Sequence, residues 1–429
     1  MENLFKLFEE CSSVTTDSRK VEKGQLYIAL KGDNFDGNKF ANDAIKKGAK
    51  YAIVDNQEYA DEQKIFCVAD GLLFLQQLAN HHRNKFDIPV IGITGSNGKT
   101  TTKELIASVL SQKYAVLFTA GNLNNHIGVP LTLLKLRKEH EIAIIEMGAS
   151  KPGDIDELCQ IAAPDFGLIT NIGKAHLEGF GSAAGVLHTK TELYRFIEKR
   201  DGLLFFNSDD EVLLKAIPAS CNKVAYGTTA NGQIRGTLVN LLPEVELKWS
   251  SEKYESPVLQ TKILGKYNFY NMLAAICLGD YFKVQPENIN KGITEYAPKN
   301  NRSQLEKTEH NTVILDAYNA NPTSTKAALE SFAAVSHKNK FFVLGDMLEL
   351  GEVSKEEHRG ILELVKSLGL QGIFIGSFYA ELKNEYGQFM FFEKRDEAAQ
   401  FLGTATPKNN LILLKGSRGI GLEKLMEIV

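Results

Sequence analysis

The sequence has little of what marks secreted, membrane or nucleic-acid-binding chains. Its 429 residues include five cysteines: Cys11, Cys67, Cys159, Cys221 and Cys277. The number is odd and no pair has C-x-x-C spacing, so neither a disulfide framework nor a cysteine metal site is expected. The five read as reduced cytoplasmic thiols, most of them buried as small apolar groups. No apolar run approaches the roughly 18 residues of a membrane-spanning helix. The first ten residues, MENLFKLFEE, carry three glutamates and no continuous apolar stretch, and are not expected to act as a signal peptide. The formal charge of −4 shows no basic excess, which removes the bulk argument for nucleic acid or a membrane surface as partner. There is no low-complexity tract and no internal repeat. What remains is ordinary globular composition, 43% hydrophobic and 24% charged, at a length that suits two to four domains.

Against that background one stretch stands out: VIGITGSNGKTTTK, residues 90–103. Val90 to Thr94 is a short apolar run rich in β-branched residues, as in a buried parallel strand. Gly95, Ser96, Asn97 and Gly98 follow as a loop that lets backbone approach a ligand. Lys99, Thr100 and Thr101 then open a helix that runs to Leu110. Strand, glycine-rich loop and a helix starting with Lys-Thr form a phosphate cradle, with backbone amides and the helix N-terminus aimed at an anion. In that arrangement Lys99 reaches the terminal phosphates and the Thr100 hydroxyl holds Mg²⁺. The match to G-x-x-x-x-G-K-S/T is incomplete, because Ile93 stands where the first glycine belongs. A nucleoside triphosphate site is the expectation.

The rest of the chain supplies strands that end in polar residues. Residues 1–86 form an expected small α/β domain, with strands at 25–30 and 51–54 and helices at 41–48 and 72–85. Asp17, Ser18 and Arg19 precede its first strand, either as a capped turn with a surface ion pair or as an anion pocket. His81 and His82 read as surface or dipole-complementing residues at a helix end rather than ligands. Residues 87–298 form the expected central domain. Its GNLNNH run, with Asn122, Asn124 and Asn125, is either a solvated loop or a loop that hydrogen-bonds a substrate. Strands at 141–147 and 166–171 bring Glu146 and His176 to carboxyl ends, where ligands of doubly wound sheets bind. Beside a triphosphate, a carboxylate and a histidine make a metal pair, although each alone could serve as a cap or surface group. A helix at 184–196 shows Lys190 as a surface lysine. Residues 237–264 read as an antiparallel patch, and a helix at 268–282 begins with Asn268 and Asn271, which could cap it or read an adenine edge.

PKNNR, residues 298–302, is the expected second linker, and 299–429 resets to alternating strands and helices. The strands are at 313–316, 341–344, 372–375, 389–392 and 411–414, with helices at 323–335, 355–367, 380–384, 396–402 and 422–428. This is a second parallel doubly wound domain without a dinucleotide fingerprint. Asp316, Asn319, Asn321, Lys415 and Ser417 gather at its strand ends as a binding edge. The fold class is therefore α/β in three domains: a small N-terminal domain, a central P-loop ATPase-like domain with a parallel sheet, and a C-terminal Rossmann-like domain.

Six blocks carry a resemblance across nearly the whole chain: TDSRKVEKGQLYIALKGDNFDG (16–37), TGSNGKTTTK (94–103), GNLNNHIGVPLTLL (121–134), IEMGAS with PGDI (145–155), TNIGKAHLEGFGS (170–182) and DAYNANPTS (316–324). In this order they resemble the Mur ligases, the ATP-dependent amide-forming enzymes of peptidoglycan assembly. DAYNANP, LGDMLELG (344–351) and KGSR (415–418) point within that family to addition of D-alanyl-D-alanine to UDP-N-acetylmuramoyl-tripeptide, rather than of a single amino acid. The resemblance implies a cytoplasmic ligase, expected as a monomer, that makes an acyl phosphate and lets an amine displace the phosphate. It implies ATP and two Mg²⁺ sites, with Thr100, Glu146 and His176 as ligands and Lys190 carbamylated as a further one. Lys99, His176, Lys190 and Arg302 become catalytic. Gly95 to Thr101, Asn268, Arg302 and Asp316 would hold the nucleotide. Ser18, Arg19, Lys31, Asn122, Asn124, Asn125, Asn319, Asn321, Lys415 and Ser417 would face the other substrates. The sequence departs from the family pattern at Tyr267, where histidine is common, at Asn301, where glycine is usual, and at His126. It does not say whether the tripeptide ends in lysine or meso-diaminopimelate.

Overall fold

Apolar runs bounded by turn residues become the strands, and their register decides which polar residues meet. The computed structural model describes residues 2–61, 63–174, 177–229, 233–241, 244–405 and 408–429. The chain folds into two compact units. The first comprises residues 1–93, 114–149 and 153–167. The second comprises 94–113, 150–152 and 168–429.

In the first unit, strands Val14–Thr15, Leu26–Ile28, Tyr51–Val54 and Ile65–Cys67 pair in that order, all parallel. The short strand at Ile65 and the helix Glu2–Glu9 were not legible in the sequence. Asp70 caps the helix Gly71–Arg83 by accepting the Leu73 N–H at 2.8 Å. Arg83 closes that helix. Its guanidinium meets Asp165 at 3.0 Å and the carbonyls of Ala162, Ala163 and Phe86. Asp165 in turn accepts the Val90 N–H at 2.9 Å, fixing where the next strand begins. His81 packs on Phe5 and half-buried His82 on Phe8 and Phe86, so His82 is not the surface residue expected. Strands Val116–Phe118 and Ile142–Glu146 lie parallel to Val90–Thr94, and Glu146 falls opposite Ile93.

In the second unit, Leu203–Asn207, Asn222–Gly227 and Ile234–Asn240 are parallel neighbours. Glu246–Ser250 and Leu259–Gln260 add antiparallel strands, as the alternation at 237–264 requires. Helix Lys99–Leu110 packs against Tyr267–Tyr281 and Pro286–Glu295 at glycines. A Cβ on Gly279 would lie 2.6 Å from Val109 Cγ1, and one on Gly292 would lie 2.7 Å from Val109 Cα. A six-stranded sheet follows, ordered Gln304–Lys307, Thr312–Asp316, Leu411–Lys415, Lys340–Gly345, Gly372–Ile375, Met390–Phe392. Only its first pairing is antiparallel. Apolar clusters cover both faces, as in a doubly wound domain. The strand order reverses beside Leu411–Lys415, so Asp316, Gly345 and Lys415 end side by side at the switch point.

Three helix expectations are corrected. The helix read over 184–196 is two, Ala183–Lys190 and Glu192–Lys199. Thr189 and Thr191 bond back to the carbonyls of Gly185 and Leu187 at this break, an arrangement that bends helices. The helix read over 380–384 is Ser377–Ala380, displaced because Asp346 caps the amides of Phe378 and Tyr379. The terminal helix is a 3₁₀ segment, Leu422–Glu427. The apolar segment after the asparagine-rich run forms a helix, Gly128–Leu133.

Candidate active site

The phosphate loop is held by the segment Thr170 to Gly173. Gly95 has φ 141°, and a Cβ there would sit 2.0 Å from Thr170 Oγ1. Thr170 Oγ1 and Asn171 Nδ2 both donate to the Asn97 carbonyl, at 2.6 and 2.9 Å. The Ser96 amide donates to the Asn171 carbonyl at 2.9 Å and the Asn97 amide to Asn171 Oδ1 at 3.1 Å. Those two amides, expected to face phosphate, are therefore turned to the protein. That leaves Gly98 and the start of helix Lys99–Leu110 as the part of the loop where an anion could be received. Gly98 adopts φ 79°, and a Cβ there would lie 2.8 Å from Asn271 Oδ1. Lys99 Nζ donates to the carbonyls of Gly95 at 2.6 Å and Ser96 at 3.2 Å. Thr100 is buried and Thr101 half-buried. Ile93 is a fully buried strand residue, which explains the missing glycine: the loop begins only at Gly95.

Helix Tyr267–Tyr281 backs this loop. Asn268 Nδ2 donates to the Leu264 carbonyl at 2.7 Å, and Asn271 Nδ2 to Asn268 Oδ1 at 2.8 Å. The two asparagines form a buried ladder between the helix start and Gly98.

The C-terminal strand ends gather a second group within the same unit. Lys415, 2% exposed, donates to Asp316 Oδ2 at 2.7 Å and to the Asn319 carbonyl at 3.3 Å. Ser303 N–H donates to Asp316 Oδ1 at 3.2 Å. The Arg302 guanidinium lies 3.7 Å from the centroid of the Tyr318 ring, and its Nε is buried without a hydrogen-bond partner. A buried guanidinium N–H of that kind can be completed by an anionic oxygen. Asn321 caps helix Pro322–Ala334 and also donates to Asn97 Oδ1 of the phosphate loop at 2.7 Å. Ser417 Oγ accepts the Leu348 N–H at 2.9 Å and donates to the Ala320 carbonyl at 3.4 Å. Lys415, Ser417 and Asn321 thus brace the loops of this edge. Asn319 is exposed, its Oδ1 accepting the Ala320 N–H.

Glu146, in the first unit, is 1% exposed. Its N–H donates to Thr119 Oγ1 at 2.9 Å, and its Oε1 accepts from Asn124 Nδ2 at 2.8 Å. Asn124 therefore holds the carboxylate. Asn125 Oδ1 accepts the Ile127 and Gly128 amides and starts the following helix, while Asn122 is exposed. Lys190 is 2% exposed, which overturns its reading as a surface lysine. It ends helix Ala183–Lys190 with Nζ 5.3 Å from the Phe180 ring centroid. His176 lies outside the described residues.

Near the N-terminus the charge-pair reading is seen directly. Arg19, its side chain 85% exposed, grips Asp17 through Nε and Nη2 at 2.9 Å each. Those hydrogen bonds from Arg19 hold the Asp17 carboxyl down at about 2. Ser18 is buried, its carbonyl accepting from Lys47. Lys31 pairs with Asp55 at 2.8 Å. Beside Lys31, Phe35 and Phe40 stack with ring centroids 5.6 Å apart and both exposed, an aromatic platform the sequence reading missed. The FDGNKF spacing around a glycine turn was its available signal.

Among the described residues no group of three or more His, Cys, Asp and Glu is clustered as a metal cage. Mg²⁺ bound with a triphosphate needs less: hard oxygen donors from one or two protein groups and the phosphates. In the second unit Thr100 offers a buried hydroxyl of that kind, and in the first unit Glu146 offers a buried, oriented carboxylate.

Family models match the chain in three consecutive stretches. Residues 10–83 match the Mur ligase family catalytic domain, 93–279 the Mur ligase middle domain, and 301–418 the Mur ligase glutamate ligase domain. A relative from Bacillus subtilis, UDP-N-acetylmuramoyl-tripeptide–D-alanyl-D-alanine ligase, is 37% identical over 96% of this chain and 92% of its own length. Among solved structures, MurF from Acinetobacter baumannii superposes with TM-score 0.89 at 32% identity, covering 99% of this chain and 97% of that one. MurF ligase from Thermotoga maritima, solved in complex with ADP, gives 0.87 at 28% identity, covering 100% of this chain and 98% of that one.

Proposed function

The chain belongs to the Mur ligase family, and from that we propose that it joins D-alanyl-D-alanine to UDP-N-acetylmuramoyl-tripeptide at the expense of ATP, in the cytoplasm. The observation that carries the reading is Arg302: a guanidinium plane fixed on Tyr318, with a buried donor unsatisfied, beside the Asp316–Lys415 pair.

The chemistry follows from the groups present. The terminal carboxylate of the tripeptide attacks the γ-phosphorus of ATP, forming an acyl phosphate and releasing ADP. The amine of D-alanyl-D-alanine then adds to the acyl carbon, and the tetrahedral adduct expels phosphate and loses a proton to leave the amide. Two anions must meet in the first step, so the protein's task is positioning and charge neutralisation. Lys99 supplies positive charge at the phosphate loop and Arg302 supplies it from the C-terminal edge. Asp316, held by Lys415, is set to accept hydrogen bonds from a ribose. Mg²⁺, when bound, would offset phosphate charge, held by Thr100, Glu146, His176 and a carbamylated Lys190. The N-terminal domain, through Ser18, Arg19, Lys31 and the Phe35–Phe40 platform, would take the UDP-sugar, with the exposed Asn122 and Asn319 facing substrate.

The test is direct. The protein is incubated with ATP, Mg²⁺, D-alanyl-D-alanine and either the lysine- or the diaminopimelate-ending UDP-tripeptide, and phosphate release and product mass are followed. Stoichiometric amide formation is expected with one or both tripeptides, and hydroxylamine should intercept the acyl phosphate when the dipeptide is omitted. Amide formation only with single amino acids would identify a sibling ligase. ATP consumption that needs neither carboxylate nor amine would identify a nucleotide switch.

A further inference from the structure

The backbone around Arg302 is held in a conformation its residues do not favour. Asn300 has φ 63°, Asn301 φ 56° and Ser303 φ 47°. Three non-glycine residues in the left-handed region within four positions persist only where surrounding structure over-determines them. Named contacts do so here. Tyr296 donates to Glu104 Oε2 at 2.8 Å and Asn300 Nδ2 to Glu104 Oε1 at 3.4 Å. Glu104 sits on the helix that begins at the phosphate loop. At the other end, the hydroxyls of Tyr267 and Ser303 bond at 2.6 Å. Ser303 N–H continues to Asp316 Oδ1, whose other oxygen holds Lys415. The Tyr318 N–H donates to the Asn301 carbonyl at 3.2 Å, setting the ring under the Arg302 guanidinium.

We propose that Tyr267 is a positioning residue for the nucleotide: its hydroxyl fixes Ser303, and through Ser303 it presents Arg302 to the triphosphate and Asp316 to the ribose. Glu104 is the matching clamp at the upstream end of the linker. Tyr267 precedes Asn268 at the start of the helix whose ladder backs Gly98, so the element that supports the phosphate loop also sets the linker. Gly265 makes the ring's position possible, since a Cβ there would lie 2.4 Å from Tyr267 Cε1. The Tyr267 ring packs without its hydroxyl, so removing the oxygen alone deletes the latch and leaves the packing. The inference rests on the reading of Arg302 as a nucleotide contact.

The experiment is a steady-state comparison of the full-length protein and its Tyr267→Phe, Ser303→Ala and Arg302→Ala variants, with all three substrates varied in turn. Tyr267→Phe should raise KM for ATP about tenfold, the scale of one lost hydrogen bond in a coupled chain. The KM values for the UDP-tripeptide and the dipeptide should not move. Ser303→Ala should match it, and the Tyr267→Phe/Ser303→Ala double variant should be no worse than either. In the Arg302→Ala background Tyr267→Phe should have no further effect. Wild-type KM for ATP in Tyr267→Phe, with Arg302→Ala impaired, would overturn the inference alone. Equal rises in all three KM values, or an undiminished effect in the Arg302→Ala background, would also overturn it. Wild-type kinetics in Arg302→Ala would overturn the reading of Arg302 itself.

Discussion

Lys190 and Gly95 show what a single residue can carry. Lys190 has the composition of a helix surface and the environment of a core, 2% exposed at a helix end against Phe180. In the function proposed above, Lys190 is carbamylated and serves as a metal ligand. Replacement by alanine should abolish amide formation, and added bicarbonate should not restore it. A Lys190→Ala protein with wild-type turnover would remove the carbamate from the mechanism. Gly95 is constrained differently. Its φ is 141°, and Thr170 Oγ1 lies 2.0 Å from where a Cβ would stand, which leaves no room for alanine. Gly95→Ala should lower turnover by about two orders of magnitude or more, because small displacements of phosphate-holding groups are costly. Calorimetry should still show a cooperative transition. An active Gly95→Ala enzyme would mean the loop does not hold phosphate in this conformation.

At the scale of elements, the loop 345–351 illustrates how a strand end is made rigid. Asp346 is 2% exposed and accepts the Phe378 and Tyr379 amides, while buried His358 accepts the Met347 N–H at 3.0 Å through Nε2 and donates through Nδ1 to the Ser354 carbonyl. Burial raises the Asp346 carboxyl to about 6 and lowers His358 to about 4. The signs oppose. From about 4 to about 6, the folded chain keeps a proton on Asp346 that the unfolded chain has released, so this group makes stability fall as pH rises. From about 4 to about 6.5, the unfolded chain holds a proton on His358 that the folded chain lacks, so this group makes stability rise with pH. The two contributions offset in the shared window. His358→Gln keeps an acceptor for Met347 and removes the second contribution. Its melting temperature, measured by calorimetry, should therefore fall between pH 4 and 6 relative to the wild-type profile. A steeper rise with pH than wild type would contradict the assignment of Asp346.

For the whole molecule, the consequence of the proposed nucleotide site at the phosphate loop, the Asn268–Asn271 ladder and the Arg302 linker is linkage. ADP with Mg²⁺ at one hundred times its Kd should stabilise the folded chain by about 2.7 kcal/mol, read as a rise in melting temperature. The shift should shrink on chelation of the metal and in Arg302→Ala. No shift with ADP would place the nucleotide elsewhere. The phosphate loop, the strand-end residues and the family were legible in the sequence, because these are local: an apolar run ends in a polar residue, and a glycine precedes Lys-Thr. Local pattern also placed the strands Tyr51–Val54, Val90–Thr94 and Gly372–Ile375 to the residue. What each polar residue does was settled by tertiary packing. Asn124 turned to Glu146, Asn321 to Asn97 and Ser417 to Leu348, and Lys190 went inside. The physical reason is that a hydrogen bond between residues 22 to 224 positions apart has no signature at either end. It exists only when strand register and loop packing bring donor and acceptor together.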